Sequence, residues 1–200
     1  MIKLPCVQES LSRHSRTDAA QSTGMSIKGQ VWVETVIYTL IGLSLIGVVL
    51  AFVTPKIQEY QDKAIIEQTI DSFNILDKKI NEVLSAPLNT RIVEFQLKKG
   101  KIYFDSENNE ISFILENSRS LYSEDGLPVQ NGRVTVTTTK GSKRHEVKLV
   151  LKYDFDLQTE TQTKEEFSPS PSAYKFAITN KGFIGNAPNQ KAVIYISEVS

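Results

Sequence analysis

The chain has 200 residues, 23 basic and 23 acidic, with no formal net charge, which allows one domain of ordinary size plus an anchor. That balance excludes the clustered Lys/Arg face of a nucleic-acid-binding protein, so no nucleic acid is expected among its partners. The single cysteine, Cys6, excludes an intrachain disulfide, and an exported fold of this sequence must rely on its core alone.

Charge is unevenly placed. Before Gln30 stand four basic residues (Lys3, Arg13, Arg16, Lys28) and two acidic ones (Glu9, Asp18), and Thr35–Pro55 then carries no charge at all. As a helix that stretch spans about 31 Å, the thickness of bilayer hydrocarbon, and it predicts a membrane-spanning helix. The basic excess ahead of it places the N-terminus in the cytoplasm and residues 56–200 outside. A cleaved secretory signal also runs from basic to apolar. Here, however, no small-x-small site closes the run, and helical periodicity continues past Lys56.

That continuation reads Ile57, Tyr60, Ala64, Ile66, Ile70, Phe73, Leu76, Ile80 and Leu84, with Glu59, Asp62, Lys63, Glu67, Asp71, Lys78 and Glu82 on the other face. Pro87 ends the pattern. One helix is predicted from about Val31 to about Ser85, roughly 80 Å long and kinked at Pro55 where a backbone hydrogen bond is missing, the alternative being a break there into two helices. Strands are predicted at 91–97, 101–105, 110–115, 133–139, 145–153, 174–178 and 191–196, between turn signals Lys99-Gly100, Asn108-Asn109, Asn131-Gly132 and Lys140-Gly141. The alternation implies one antiparallel sheet wrapped over the helix stripe, with its other face wet. Residues 154–172 are polar, contain Pro169 and Pro171, and read as an exposed loop. The fold class is therefore α+β: a long N-terminal helix, membrane-spanning in its first half and amphipathic in its second, packed on an antiparallel β domain.

At the start of the apolar run stands Lys28-Gly29-Gln30-Val31-Trp32-Val33-Glu34. This resembles the processing site of type IV pilins, and Lys-Gly-Gln is similar to the class III signal peptides of archaeal pilins and archaellins. The resemblance implies cleavage by a prepilin peptidase between Gly29 and Gln30, with the apolar helix kept on the mature protein. It makes Gln30 the first mature residue and Glu34 the fifth, where the family carries its glutamate. Glu34 of one subunit would then neutralise the new Gln30 ammonium of a neighbour, offsetting the expense of a charge at a membrane helix end. Trp32 and Tyr38 stand where archaeal members often carry serine and leucine. Gly47 and Ala51 form a small-xxx-small pair that permits close helix approach. The resulting division is a leader at 1–29, a transmembrane and assembly helix at 30–55, an amphipathic helix at 56–86 and a β-rich extracytoplasmic domain at 87–200. Met25 offers an alternative start that leaves a five-residue leader.

The remaining residues suggest no chemistry. His14 and His145 have no ligand-spaced partner, and Asp154, Asp156, Glu160, Glu165 and Glu166 lack the alternating spacing of a calcium loop. No cofactor or metal and no catalytic group is expected, nor is N-glycosylation, since no Asn-x-Ser/Thr sequon occurs. The expected role is structural: a subunit of a type IV pilus-like filament. Its expected partners are the membrane, the prepilin peptidase, copies of itself or other pilins, and the pilus assembly platform and ATPase. Two alternatives remain open, a pseudopilin-like part of a secretion or uptake machine and a non-polymerising single-pass protein with an extracellular β-rich binding domain.

Overall fold

The computed structural model describes residues 27 to 199 other than Ala187, with side chains from Val31 onward. The expected leader therefore lies outside the described residues except for the backbone of its last three. The chain divides into two compact units, one ending at Val48 and one running from Val49. A single helix, α1 (Ile27–Leu84), supplies the described part of the first unit and opens the second. It begins four residues ahead of the expected Val31. Within Ile27–Gln30 only Gly29 disfavours helix, by about 1 kcal/mol relative to alanine. Helical backbone continues through Pro55 without interruption and ends three residues before Pro87.

Ten strands follow: β1 (Thr90–Phe95), β2 (Lys101–Asp105), β3 (Glu110–Ser118), β4 (Val129–Asn131), β5 (Val134–Lys140), β6 (His145–Lys152), β7 (Asp156–Gln158), β8 (Lys164–Phe167), β9 (Tyr174–Ile184) and β10 (Lys191–Glu198). They form two sheets rather than the one expected, ordered β1-β9-β10-β7 and β4-β5-β6-β3-β2-β8. Pairing is antiparallel except between β10 and β7, which run parallel. The exposed loop expected over 154–172 contains β7 and β8. Each is short with a single apolar anchor, so no alternation marks it in the sequence. Leu157 of β7 is fully buried, and Phe167 of β8 packs edge-on against Phe104 and Phe176 with ring centroids 5.5 and 5.0 Å away. β9 extends to Ile184, well past the expected Ile178, because Asn180 continues its buried face as a polar residue.

Both sheets turn their apolar alternates toward α1. Ile66, Ile70, Phe73, Leu76 and Ile80 of the helix share one cluster with Phe95, Phe104, Phe113, Ile178 and Leu149, and burying each such side chain is worth about 2 kcal/mol. Phe73 meets Phe95 edge-on at 5.9 Å. The stripe is shorter than the periodicity suggests: Ile57, Tyr60 and Ala64 are exposed, Tyr60 by 71%. Asp62, expected on the wet face, is instead 2% exposed. It lies one turn before Ile66 and so on the buried side of the helix.

Candidate functional site

The most distinctive part of the molecule is the apolar stretch of α1. From Val31 to Val53 its large side chains are exposed, among them Trp32 by 70% and Phe52 by 73%, and this is the one described helix long and apolar enough to cross a membrane. A surface of this kind is unfavourable in water, at roughly 25 cal/mol for each Å² of apolar area. The threonine and serine hydroxyls within it are satisfied inside the helix. The hydroxyls of Thr35, Thr39, Ser44 and Thr54 donate to the carbonyls of Val31, Thr35, Leu40 and Leu50 at 2.7–2.9 Å. The backbone donors and these four hydroxyls thus need no solvent, as an apolar medium demands.

Each residue singled out by sequence has a definite place on this helix. Lys28, Gly29 and Gln30 lie in its first turn by backbone, and their side chains are outside the described residues. Glu34 is exposed one turn later. Gly47 and Ala51, four apart, share a face, and a Cβ added at Gly47 would meet nothing within 4 Å. Pro55 removes the donor that the Ala51 carbonyl would otherwise receive. Immediately after it, Lys56 pairs with Glu59 at 2.9 Å, the first ion pair past the apolar run.

Three polar contacts, none apparent from the pattern of apolar residues, tie the second half of α1 to the sheets. At one end the buried Asp62 carboxylate accepts the Arg119 backbone N–H at 2.7 Å and the Lys99 ammonium. Its place on the apolar stripe was the available clue. At the other end Asn180 of β9, wholly buried, donates through Nδ2 to the Val83 carbonyl at 3.1 Å and accepts the Gly182 N–H at 2.8 Å. It acts as a C-cap supplied by a strand, sharing with the Ala86 N–H (3.3 Å) a carbonyl that has no partner inside the helix. Near the same end Arg133 Nε stands 3.7 Å from Asp77 Oδ1, and its guanidinium lies 5.5 Å from the Tyr153 ring centroid. Burial, reinforced by the Asp77 carboxylate, pushes the Tyr153 hydroxyl well above its ordinary value.

The hollows on the β-rich unit are lined by mixed polar side chains. One of about 300 Å³ lies between Ile65, Gln68 and Thr69 of α1 and Gln96–Lys99. Among the described residues no group of three His, Cys, Asp or Glu side chains is placed to hold a metal ion. The chain is a single long apolar N-terminal helix joined to an α+β unit, a layout compatible with a single-pass membrane protein. No protein-family profile, no curated protein and no solved structure matches it.

Proposed function

We propose that this chain is the precursor of a structural subunit of a type IV pilus-like surface filament. The observation that carries the reading is the exposed, uncharged helix Thr35–Pro55 with Glu34 at its head and Lys28-Gly29-Gln30 just before it, continuous with a helix that anchors a β-rich domain. An apolar surface of this length must be covered. Lipid covers it in the inserted precursor, and the same faces of neighbouring subunits cover it in a filament.

A prepilin peptidase removes the leader after Gly29. The mature Gln30 then carries an ammonium group one turn from Glu34. Packed subunits satisfy both charges mutually, and Gly47 and Ala51 allow the helices to approach closely. The domain after Lys56 is displayed outside the membrane, at the filament surface, where attachment is the expected role.

Mass spectrometry of the membrane-extracted protein tests the first step. The expected mature chain begins at Gln30, with or without cyclisation to pyroglutamate. A chain beginning after Ala51 or Pro55 would mean an ordinary secretory signal and end this reading. Electron microscopy of sheared cell surfaces tests the second step, since a correctly processed subunit absent from every filament would leave an anchored, non-polymerising protein.

A further inference from the structure

We propose that the turn between β5 and β6 docks on the phosphate headgroups of the membrane that anchors the chain, holding the β-rich domain upright beside its helix before assembly. The proposal rests on the membrane-inserted state of the reading above and is independent of polymerisation.

The geometry comes from two tie points between α1 and the six-stranded sheet. At one end Arg119 donates its N–H to Asp62, and Ser118 next to it pairs with His145, the first residue of β6. At the other end Arg133 reaches Asp77 at 3.7 Å and also donates to the carbonyl of Lys152, the last residue of β6, at 3.2 Å. Between these points α1 rises about 22 Å and β6 about 24 Å. The two elements therefore run alongside and in the same direction. The β5–β6 turn precedes His145, so it projects back along α1 toward Val53, the last apolar residue before Pro55.

The level of the turn follows. Val53 to Asp62 is about 14 Å of helix. The turn descends from the Asp62 level by two or three extended residues, about 7–10 Å. Its tip then lies about 5 Å beyond the hydrocarbon boundary, within a headgroup layer about 5–7 Å deep.

The tip has the chemistry this position needs. It reads Lys140-Gly141-Ser142-Lys143-Arg144, with residues 140–143 exposed. Among the described residues neither Lys140 nor Lys143 has a carboxylate within salt-bridge distance, and the Arg144 side chain donates to the Asn117 carbonyl at 3.2 Å. Nearby acids flank the base of the turn rather than its tip, Glu116 and Glu146 lining one hollow with Lys140 and Arg144. Asp125 accepts the Lys140 backbone N–H at 2.7 Å, while Glu116 and Glu146 stand on β3 and β6, on the strand side of the turn. Of the other cations at this end, Lys56, Lys63 and Lys99 are paired with Glu59, Glu67 and Asp62, while Lys98 and Arg119 lie back beside α1 rather than on the turn. The turn is left as a small exposed cationic tip aimed at the lipid surface, each basic residue counting for about a fivefold change in the docked-to-free ratio at an anionic interface.

The test uses the full chain, one copy per lipid nanodisc, with Ser142→Cys carrying a fluorophore and the only native cysteine, Cys6, changed to serine. Discs contain phosphatidylcholine alone or mixed with phosphatidylglycerol, with a quencher attached to a fraction of the headgroups. Quenching should be strong in anionic discs, weak in neutral ones, and largely lost at 1 M salt, where screening acts within about 3 Å. Lys143→Glu with Arg144→Glu should lower the docked-to-free ratio by at least about 25-fold, whereas Lys191→Glu, on a different strand of the other sheet, should leave it unchanged. Equal quenching in neutral and anionic discs, or none in either, overturns the proposal. So does quenching that appears only at several copies per disc, which would assign the turn to a second copy of the chain. Failure of the chain to enter discs at all would instead overturn the membrane-anchored reading, a distinguishable result.

Discussion

Asn180 offers the sharpest test of how the helix is held. Its side chain reaches from β9 to the last turn of α1 by donating to the Val83 carbonyl, and it is held in place within β9 by accepting the Gly182 N–H. Asn180→Ala leaves both without a side-chain partner. The Val83 carbonyl is buried but keeps the Ala86 N–H at 3.3 Å, and Gly182 is partly open to water, so the two losses together should cost about 1–3 kcal/mol. Asn180→Asp separates the hydrogen bonds from mere volume. A carboxylate can still accept from Gly182, but it meets the Val83 carbonyl and the negative end of the helix, so its folded pKa must rise above that of the unfolded chain. A raised folded pKa adds stability below the unfolded value, and that stability is lost as pH rises through the folded one. The aspartate variant should therefore approach wild type near pH 4 and fall to or below the alanine variant at pH 7. Urea unfolding of the full chain in detergent micelles, followed by the β-sheet circular dichroism, measures this. Equal stabilities of the two variants at both pH values would refute the capping role.

Three further outcomes are expected. Gly100 holds a φ of +81°, and an added Cβ would collide with the Phe113 ring and approach the Ile114 carbonyl oxygen to 2.8 Å. Gly100→Ala should therefore destabilise the domain by about 3 kcal/mol in the same unfolding assay. Tyr153 has its hydroxyl pushed above the ordinary value of 10.0 by burial and Asp77. Stability is then fully present below that value and lost as pH rises above it, and Tyr153→Phe should remove this alkaline loss in a pH-resolved melting series. If Glu34 pairs with the Gln30 ammonium of a neighbour, Glu34→Gln should leave insertion and folding intact while sharply lowering filament yield per processed subunit, because a buried charge pair broken on one side loses several kcal/mol. Normal filament yield from that variant would remove the pairing.

What the sequence determined by itself was everything governed by a long, uniform pattern. An uncharged run from Thr35 to Pro55 permits only a helix that hides from water, and the 3.6-residue repeat from Ile66 to Ile80 permits only a helix with one buried face. Strands such as β2 and β6 were legible because each alternates apolar and polar residues over most of its length. The tertiary structure decided what depends on single residues meeting across the chain. β7 and β8 become strands because Leu157 and Phe167 fill gaps in a core built by others, a choice that no local period records. Ile57, Tyr60 and Ala64 carry the stripe's period yet lie exposed, because no strand lies beneath that part of the helix to cover them. Asp62 and Asn180 lie buried in the opposite sense, polar residues on apolar faces, because the Arg119 N–H and the Val83 carbonyl lie within their reach and an unpaired backbone group there would cost more than a buried side chain. Periodicity measures how much of a helix or strand wants to leave water. Which surface receives it, and which polar residue may accompany it, is settled only by contacts between residues far apart in the chain.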